Sequence, residues 1–260
     1  MADTFLIKVK YGGLGDHLFY SHLPRIAKQS GGFGQVLISN LSVYRNPDYR
    51  RLIWETNPYV DGFTEEDAPY PEFGSVPEDM NLLDNIMIER GLEDGKRFHE
   101  PELYFKPERI NSLAGAIVYD PNYVSNVGNL ETQHVESYFD RKNLSPDFML
   151  QPRGKGAPVL QYRALIETKS LEHYCSVIVS AKQFICLTSG GATLAAALGR
   201  PALCLYGDGQ MKMFHHSRLH RYIDVNPPSI SVRAKLGFLR LSHKARRQLP
   251  HFLQFRNPDS

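Results

Sequence analysis

Two glycine-rich turns, each placed where an apolar strand should give way to a helix, constrain this chain more than any other feature. The first, Tyr11-Gly12-Gly13-Leu14-Gly15-Asp16-His17, follows the apolar run from Phe5 to Val9. The second, Thr188-Ser189-Gly190-Gly191-Ala192-Thr193, lies between Phe184-Ile185-Cys186-Leu187 and Ala195-Ala196-Ala197-Leu198. Glycine lets a backbone approach a ligand closely, and the N–H groups at a helix N-terminus favour phosphate. One such turn is weak evidence. Two, one early and one late, predict α/β halves facing each other across a cleft that takes a phosphorylated donor.

The rest of the pattern alternates in the same way. Strands are expected at Phe5–Val9 and Gln35–Ser39, with helices at Asp16–Gln29, Pro47–Glu55 and Met80–Arg90, and Leu103–Phe105 closing the first sheet. The acid- and proline-rich stretch 67–79 reads as a long loop, and Lys106-Pro107-Glu108 as a link, with the boundary between halves at 106–112. Beyond it come strands at Ala116–Tyr119, Pro158–Tyr162, Gln183–Leu187 and Ala202–Tyr206, and helices at Glu131–Phe139, Ser170–Ala181 and Gly191–Leu198. Such alternation implies parallel sheets with helices on both faces, ligands binding at the carboxyl ends of the strands. Three regions follow: 1–106, 107–226 and a tail at 227–260.

Composition excludes some classes and singles out the tail. With 42% apolar residues in 260, the chain can bury a large core. No run reaches the length of a membrane span, and the opening MADTFLIKVK lacks a signal-peptide core, so a cytoplasmic enzyme is expected. Cys175, Cys186 and Cys204 sit in apolar segments without metal-ligand spacing and read as reduced core thiols. The net charge of +2 hides an asymmetry: residues 61–108 hold fourteen acidic and four basic residues, whereas residues 227–260 hold seven basic residues and one acid, Asp259. Arg240, Lys244, Arg246 and Arg247 of that tail are candidate contacts to a polyanionic acceptor or an anionic membrane, or form the solvated face of a packed helix.

At this point the residues carry a resemblance. Gly12-Gly13-Leu14-Gly15-Asp16-His17 with Pro24 following, and Lys169-Ser170-Leu171-Glu172 through Thr188-Ser189-Gly190-Gly191 to Gly199-Arg200-Pro201, resemble the heptosyltransferase-like glycosyltransferases of family 9. The resemblance implies the GT-B architecture: two Rossmann-like domains facing a cleft, the N-terminal one shortened. It also implies a nucleotide-sugar donor held mainly by the C-terminal domain, no metal and no cofactor. Heptosyltransferases carry Asp-Thr-Gly and then a His where this chain has Thr188-Ser189-Gly190 and Thr193, which argues against ADP-heptose itself as donor.

Sugar transfer to a hydroxyl needs a base for the acceptor and partners for the departing diphosphate. The resemblance makes Asp16 the base; the residues alone read it equally as the cap of the helix that starts there. His17 is the substitute if Asp16 only orients the turn. Donor contacts are expected from Gly12, Gly13, Gly15, Thr188, Ser189, Gly190, Gly191 and Thr193 in the two turns. Arg163 and Lys169 are expected at a strand end and Asp208, His215 and His216 beyond the last strand, with plain surface or loop roles as the alternatives. His216 and His220 stand four apart, but no carboxylate lies at ligand spacing, so no metal is expected. A glycosyltransferase is therefore expected, acting on a glycan or lipid-linked acceptor in surface polysaccharide biosynthesis or on modified bases of DNA. A binding protein that keeps the fold without the chemistry is the other reading.

Overall fold

The protein is described by a computed structural model, over residues 3–70, 76–124, 127–154, 156–161 and 163–226. The tail at 227–260, with Arg240, Lys244, Arg246 and Arg247, lies outside the described residues.

The first sheet forms where β-branched and large apolar residues alternate with exposed ones. β1 (Thr4–Ile7) buries Phe5 and Ile7 and pairs in parallel with β2 (Gln35–Ser39), Phe5 opposite Val36. The third strand is β3 (Gly62–Thr64), parallel to β2, where no strand was expected. Asp61 marks its start, its carboxylate accepting from the Val36 N–H at 2.6 Å. The expected closing strand Leu103–Phe105 instead runs unpaired between Pro101 and Pro107, packing its apolar side chains on the core.

The long helix expected at 16–29 is two helices, α1 (Leu14–Tyr20) and α2 (Leu23–Gln29). Ser21 ends the first by donating its hydroxyl to the Leu18 carbonyl at 2.7 Å, and Pro24, lacking an N–H, suits the first turn of the second. The expected helix at 47–55 is a π-helical segment over Arg50–Glu55. α3 (Leu82–Glu89) starts at a reciprocal cap. Asn81 Oδ1 accepts from the Asp84 N–H, and Asp84 Oδ2 from the Asn81 N–H, both at 3.0 Å.

The second sheet has six parallel strands. They are β4 (Ile117–Asp120), β5 (Phe148–Leu150), β6 (Ala164–Ile166), β7 (Gln183–Leu187), β8 (Ala202–Tyr206) and β9 (Arg221–Asp224), in the order β6-β5-β4-β7-β8-β9. α4 (Thr132–Lys142), α5 (Leu171–Ser180) and α6 (Gly190–Ala197) connect them. The expected strand Pro158–Tyr162 does not form over its described residues: proline cannot donate to a ladder, and the Pro158 carbonyl instead accepts from the Tyr119 hydroxyl at 3.2 Å. Side chains on the central strands alternate between two apolar layers. Phe184, Cys186 and Cys204 face one, Ile185, Leu187, Leu203 and Leu205 the other. The first layer continues into Ile7, Ile38 and Trp54, so both sheets share one core within the compact body formed by residues 1–225.

Candidate functional site

Both glycine turns lie at the carboxyl ends of parallel strands, β1 and β7, and the helices that follow them pack on each other. At the crossing the turns touch. A Cβ added to Gly190 would lie 3.1 Å from the Gly15 backbone nitrogen and from Leu14 Cβ, and one added to Gly15 would lie 3.5 Å from Gly190 Cα. The two backbones approach closely at these glycines, and a methyl group at Gly190 would need its neighbours to shift by a few tenths of an ångström. Other ties join the halves around this point: Arg51 bridges Asp48 and Glu172, and the Asn81 side-chain amide donates to the His216 carbonyl at 2.6 Å.

Asp16 stands on this floor. Its Oδ2 accepts from the Gly13 N–H at 2.9 Å, so it does hold the turn together, as the capping reading requires. The side chain is nevertheless half-buried rather than sequestered. Burial raises its pKa above the usual carboxylate range, while the Gly13 hydrogen bond and the Arg45 charge oppose that shift. Tyr49 shares the space: burial raises its pKa most, and it feels the charges of Asp16, Asp48, Arg45 and Arg153. The result is a carboxyl group in the first turn with the Arg45 charge near it, while Arg153 of the other half reaches the adjoining Tyr49.

His17 is a correction to the sequence reading. Its ring is fully buried, with Nδ1 accepting from the Trp54 indole N–H at 3.0 Å and Nε2–H donating to the Val43 carbonyl at 2.9 Å. Both nitrogens are engaged, the ring stacks on Tyr44 at 4.5 Å, and burial lowers its pKa to about 4. It has no lone pair to offer an acceptor. One residue along a helix turns a side chain by about 100°, which carries His17 from the cleft to the core.

On the other side of the floor, Ser189 caps α6, its Oγ accepting from the Gly191 N–H at 3.3 Å. Thr188 directly follows β7, and its hydroxyl accepts from the Gln210 side-chain amide. Thr193 is buried, its hydroxyl turned back to the Ser189 carbonyl at 3.4 Å and packed towards Gly15, so it joins the halves instead of facing the turn's open side.

Beneath Gly191 lies a residue that the sequence reading missed. Asp120, at the end of β4, is buried and accepts from the Tyr174 hydroxyl and from the backbone and side-chain N–H groups of Asn122, at 2.9 and 2.8 Å. A Cβ on Gly191 would overlap Tyr174 Oη and lie 2.8 Å from Asp120 Oδ2. Burial raises the Asp120 pKa; its hydrogen bonds and the Arg153 charge lower it. Arg153, on the loop after β5, donates to the Thr168 carbonyl at 3.3 Å and stays exposed, its charge reaching Asp120, Tyr174 and Tyr49. The sequence signal was an acid ending an apolar strand before Pro121-Asn122, and a basic residue after the next strand.

The remaining expected contacts divide. Lys169 is exposed just before α5, and Arg163 is half-buried, its Nε without a hydrogen-bond partner among the described residues. Asp208 is exposed, its carboxylate accepting from the Gly209 N–H at 2.9 Å and its carbonyl from the Asn129 N–H at 2.8 Å. His215 stacks on Tyr222 at 4.2 Å and bonds Gln210 at 2.8 Å, adjoining Thr188 through that residue. His216 is buried against Phe19, with burial lowering its pKa to about 3, which removes it from any open surface. His220 is buried too, accepting from the Ala202 N–H and donating to the Ala192 carbonyl. Among the described residues no three His, Cys, Asp or Glu side chains come together as a metal site, and no helix is long and apolar enough to cross a membrane. An opening of about 300 Å³, lined by Leu103, Phe105, Lys106 and Leu198, lies at the other end of α6, away from the turns.

No protein-family model matches the sequence, and no curated protein matches it closely. Solved structures do match. The iron-containing dodecameric glycosyltransferase TibC from enterotoxigenic E. coli H10407 superposes with a TM-score of 0.58 at 14% identity, over 86% of this chain and 63% of TibC. The glycosyl transferase family 9 protein from Veillonella parvula DSM 2008 gives 0.56 at 11% identity, over 96% of this chain and 90% of its own. The ADP-heptose LPS heptosyltransferase II of E. coli gives 0.55 at 12%, over 94% and 100%. The chain thus spans less than two thirds of TibC and nearly all of the other two.

Proposed function

We propose that this chain, built on the heptosyltransferase-like GT-B fold, moves a sugar from a nucleotide-sugar donor to a hydroxyl of an acceptor. The observation that carries the reading is the placement of Asp16, a half-buried carboxylate with a raised pKa, on one glycine turn packed directly against the other. Asp16 takes the proton of the acceptor hydroxyl as its oxygen attacks the anomeric carbon. The bond from that carbon to the nucleoside diphosphate breaks as the new glycosidic bond forms.

The charge that develops on the departing diphosphate is met from the C-terminal half, residues 107–226. The α6 N-terminus and Ser189 supply hydrogen-bond donors, and Arg153, with Lys169 beside it, supplies positive charge without a metal. Asp120 and Tyr174 act one step back by fixing the underside of the Gly190-Gly191 turn. Residues 1–106 form the acceptor side, and the basic residues Arg240, Lys244, Arg246 and Arg247 of the tail draw in an anionic, lipid-linked glycan at the cytoplasmic face of a membrane.

The test is a panel of UDP-, GDP-, ADP-, CMP- and dTDP-linked sugars, read by thermal shift and by release of the nucleotide. One nucleotide class should raise the melting temperature and be slowly hydrolysed, with hydrolysis unaffected by EDTA. If no member binds, the reading fails.

A further inference from the structure

Behind α3 a buried histidine stands between two carboxylates and serves none of the chemistry above. His99 Nδ1 lies 2.5 Å from Asp84 Oδ1, and its Nε2 lies 3.2 Å from Asp94 Oδ2, all three side chains being buried. A neutral imidazole carries one N–H, so both contacts are hydrogen bonds only while the ring holds a proton on each nitrogen. Asp84 is anchored independently of that ring, because its carboxylate also accepts from the backbone N–H groups of Asn81, Phe98 and His99, at 3.0, 2.6 and 3.0 Å. Asp94 otherwise accepts from the Lys96 N–H of its own loop, at 3.0 Å. That loop is strained and touches the other half of the molecule. Phe98 takes a φ of 61°, in the left-handed region that a bulky side chain seldom adopts. Its ring lies 3.2 Å beneath the Arg218 guanidinium carbon, and the next residue but one, Glu100, accepts from the Arg218 N–H at 2.9 Å. The Asn81 amide joins the two segments, donating to the His99 carbonyl at 2.7 Å and to the His216 carbonyl at 2.6 Å.

We propose that residues 94–100 form a proton-operated clasp on the 216–219 loop, closed while His99 carries both ring protons and released when it gives one up. The inference does not depend on the transferase reading. The proton given up is the one on Nε2, since Nδ1 makes the shorter contact, to a carboxylate that stays anchored. A ring lone pair then faces the Asp94 carboxylate, and two acceptors repel. Residues 94–97 turn to water, Phe98 relaxes towards negative φ, and its ring leaves Arg218. The 216–219 loop follows His215, which adjoins Thr188 through Gln210, so the clasp bears on the segment beside the second glycine turn. The surroundings favour the closed form at neutral pH. The hydrogen bond to Asp84 raises the His99 pKa most, burial opposes it, and Asp94 adds to the rise. His22, whose ring lies 5.5 Å from His99, is kept neutral by burial with its pKa lowered to about 3, and burial lowers His216 to about 3 as well. Arg25 is paired with Glu102 and Arg97 with Glu93, both at 2.8 Å, while Lys96 is exposed. Because the folded pKa of His99 lies above the ordinary 6.5, the clasp is complete below pH 6.5 and is lost as pH rises through the raised value.

Amide hydrogen exchange read by mass spectrometry, with an NMR titration of the His99 ring, tests the clasp in the full chain and in the variants Asp94→Asn and Asp94→Ala. In the wild type, exchange at 94–100 and 216–219, corrected for the intrinsic effect of pH, should quicken about tenfold between about pH 6 and about pH 9, in step with the His99 titration. Asparagine can accept from Nε2–H or donate to its lone pair, so Asp94→Asn should lower the His99 titration point and leave both segments protected at either pH. Asp94→Ala opens the clasp outright and should exchange fast in both segments at either pH. Melting temperatures show that each variant is folded, and the wild-type curves stand as a test by themselves. Protection of 216–219 that does not change across the His99 titration in the wild type overturns the proposal. So does a pH dependence in Asp94→Asn equal to that of the wild type, or a His99 ring without its Nε2 proton at about pH 6.

Discussion

Adding one methyl group at Gly191 should do disproportionate damage. The new Cβ would overlap the Tyr174 hydroxyl and sit 2.8 Å from Asp120 Oδ2, in a region where both side chains are held by their mutual hydrogen bond. Forcing an extra carbon into a packed interior costs about 1–3 kcal/mol. Displacing Tyr174 strips a hydrogen bond from a buried carboxyl, about 1.5–3 kcal/mol more. The better helix propensity of alanine returns less than about 1 kcal/mol. The net loss is about 3 kcal/mol, a fall of about 10 °C in melting temperature for a chain of this size. Gly190→Ala meets only 3.1 Å contacts with Gly15 and Leu14, so a shift of a few tenths of an ångström suffices and the cost should stay near about 1 kcal/mol. The decisive assay is a double-mutant cycle by chemical denaturation. Tyr174→Phe removes the oxygen that the new methyl strikes, so Gly191→Ala and Tyr174→Phe together should cost about 2 kcal/mol less than the sum of the two singles. Additive losses would refute the packing argument and, with it, the role given to Asp120 beneath the turn.

Asp16→Asn keeps an oxygen to accept from the Gly13 N–H but cannot take a proton. Turnover should fall about 10²–10⁴-fold with donor affinity and melting temperature little changed, and near-normal turnover would remove Asp16 from the mechanism. Because burial raises the Asp16 pKa, transfer in the wild type should decline as pH falls through that raised value, a limb that a pH–rate profile would reveal as displaced upward from an ordinary carboxylate. Stability has its own acid limb. His17 is neutral in the fold, its pKa lowered from 6.5 to about 4, so the unfolded chain binds the extra proton and stability is lost as pH falls below 6.5. That loss amounts to about 2 kcal/mol at pH 5 and should be absent from the denaturation curves of His17→Gln. Arg153→Gln should weaken nucleoside diphosphate binding about tenfold in calorimetry, with little change in melting temperature, since the side chain is exposed; unchanged affinity would place the phosphate elsewhere.

Two strands of the second sheet, β7 and β8, were legible because each is a five-residue, largely apolar run bounded by turn residues, Thr188-Ser189 after one and Pro201 and Gly207 around the other. β7 and β8 fall where the pattern put them, as does β2 in the first sheet. The shortest strands were not. β3, β5 and β6 are three residues long and β9 only four, too short for period-two alternation to stand out, and their pairing is decided by neighbours distant in sequence. Both turns were visible as glycine clusters, yet the reason for two of their glycines was not. Gly15 and Gly190 make room for each other, a contact between segments that no local pattern reports. Adjacency misled in the case of His17, which neighbours Asp16 in the chain and points the other way in space. Asp120 was hidden for the opposite reason: its partners Tyr174 and Gly191 lie in other elements, so its chemistry exists only after folding.

The central claim is that the junction of the two glycine turns holds the diphosphate of a nucleotide sugar. A crystal structure of the chain with the nucleoside diphosphate selected by the binding panel tests it most directly. Phosphate oxygens are expected at the N-terminus of α6, within hydrogen-bonding distance of the Gly190-Gly191 backbone and of Arg153, with Asp16 facing the open side of the cleft. A diphosphate bound away from α6, with Arg153 still turned to Thr168 and the turn untouched, would contradict it.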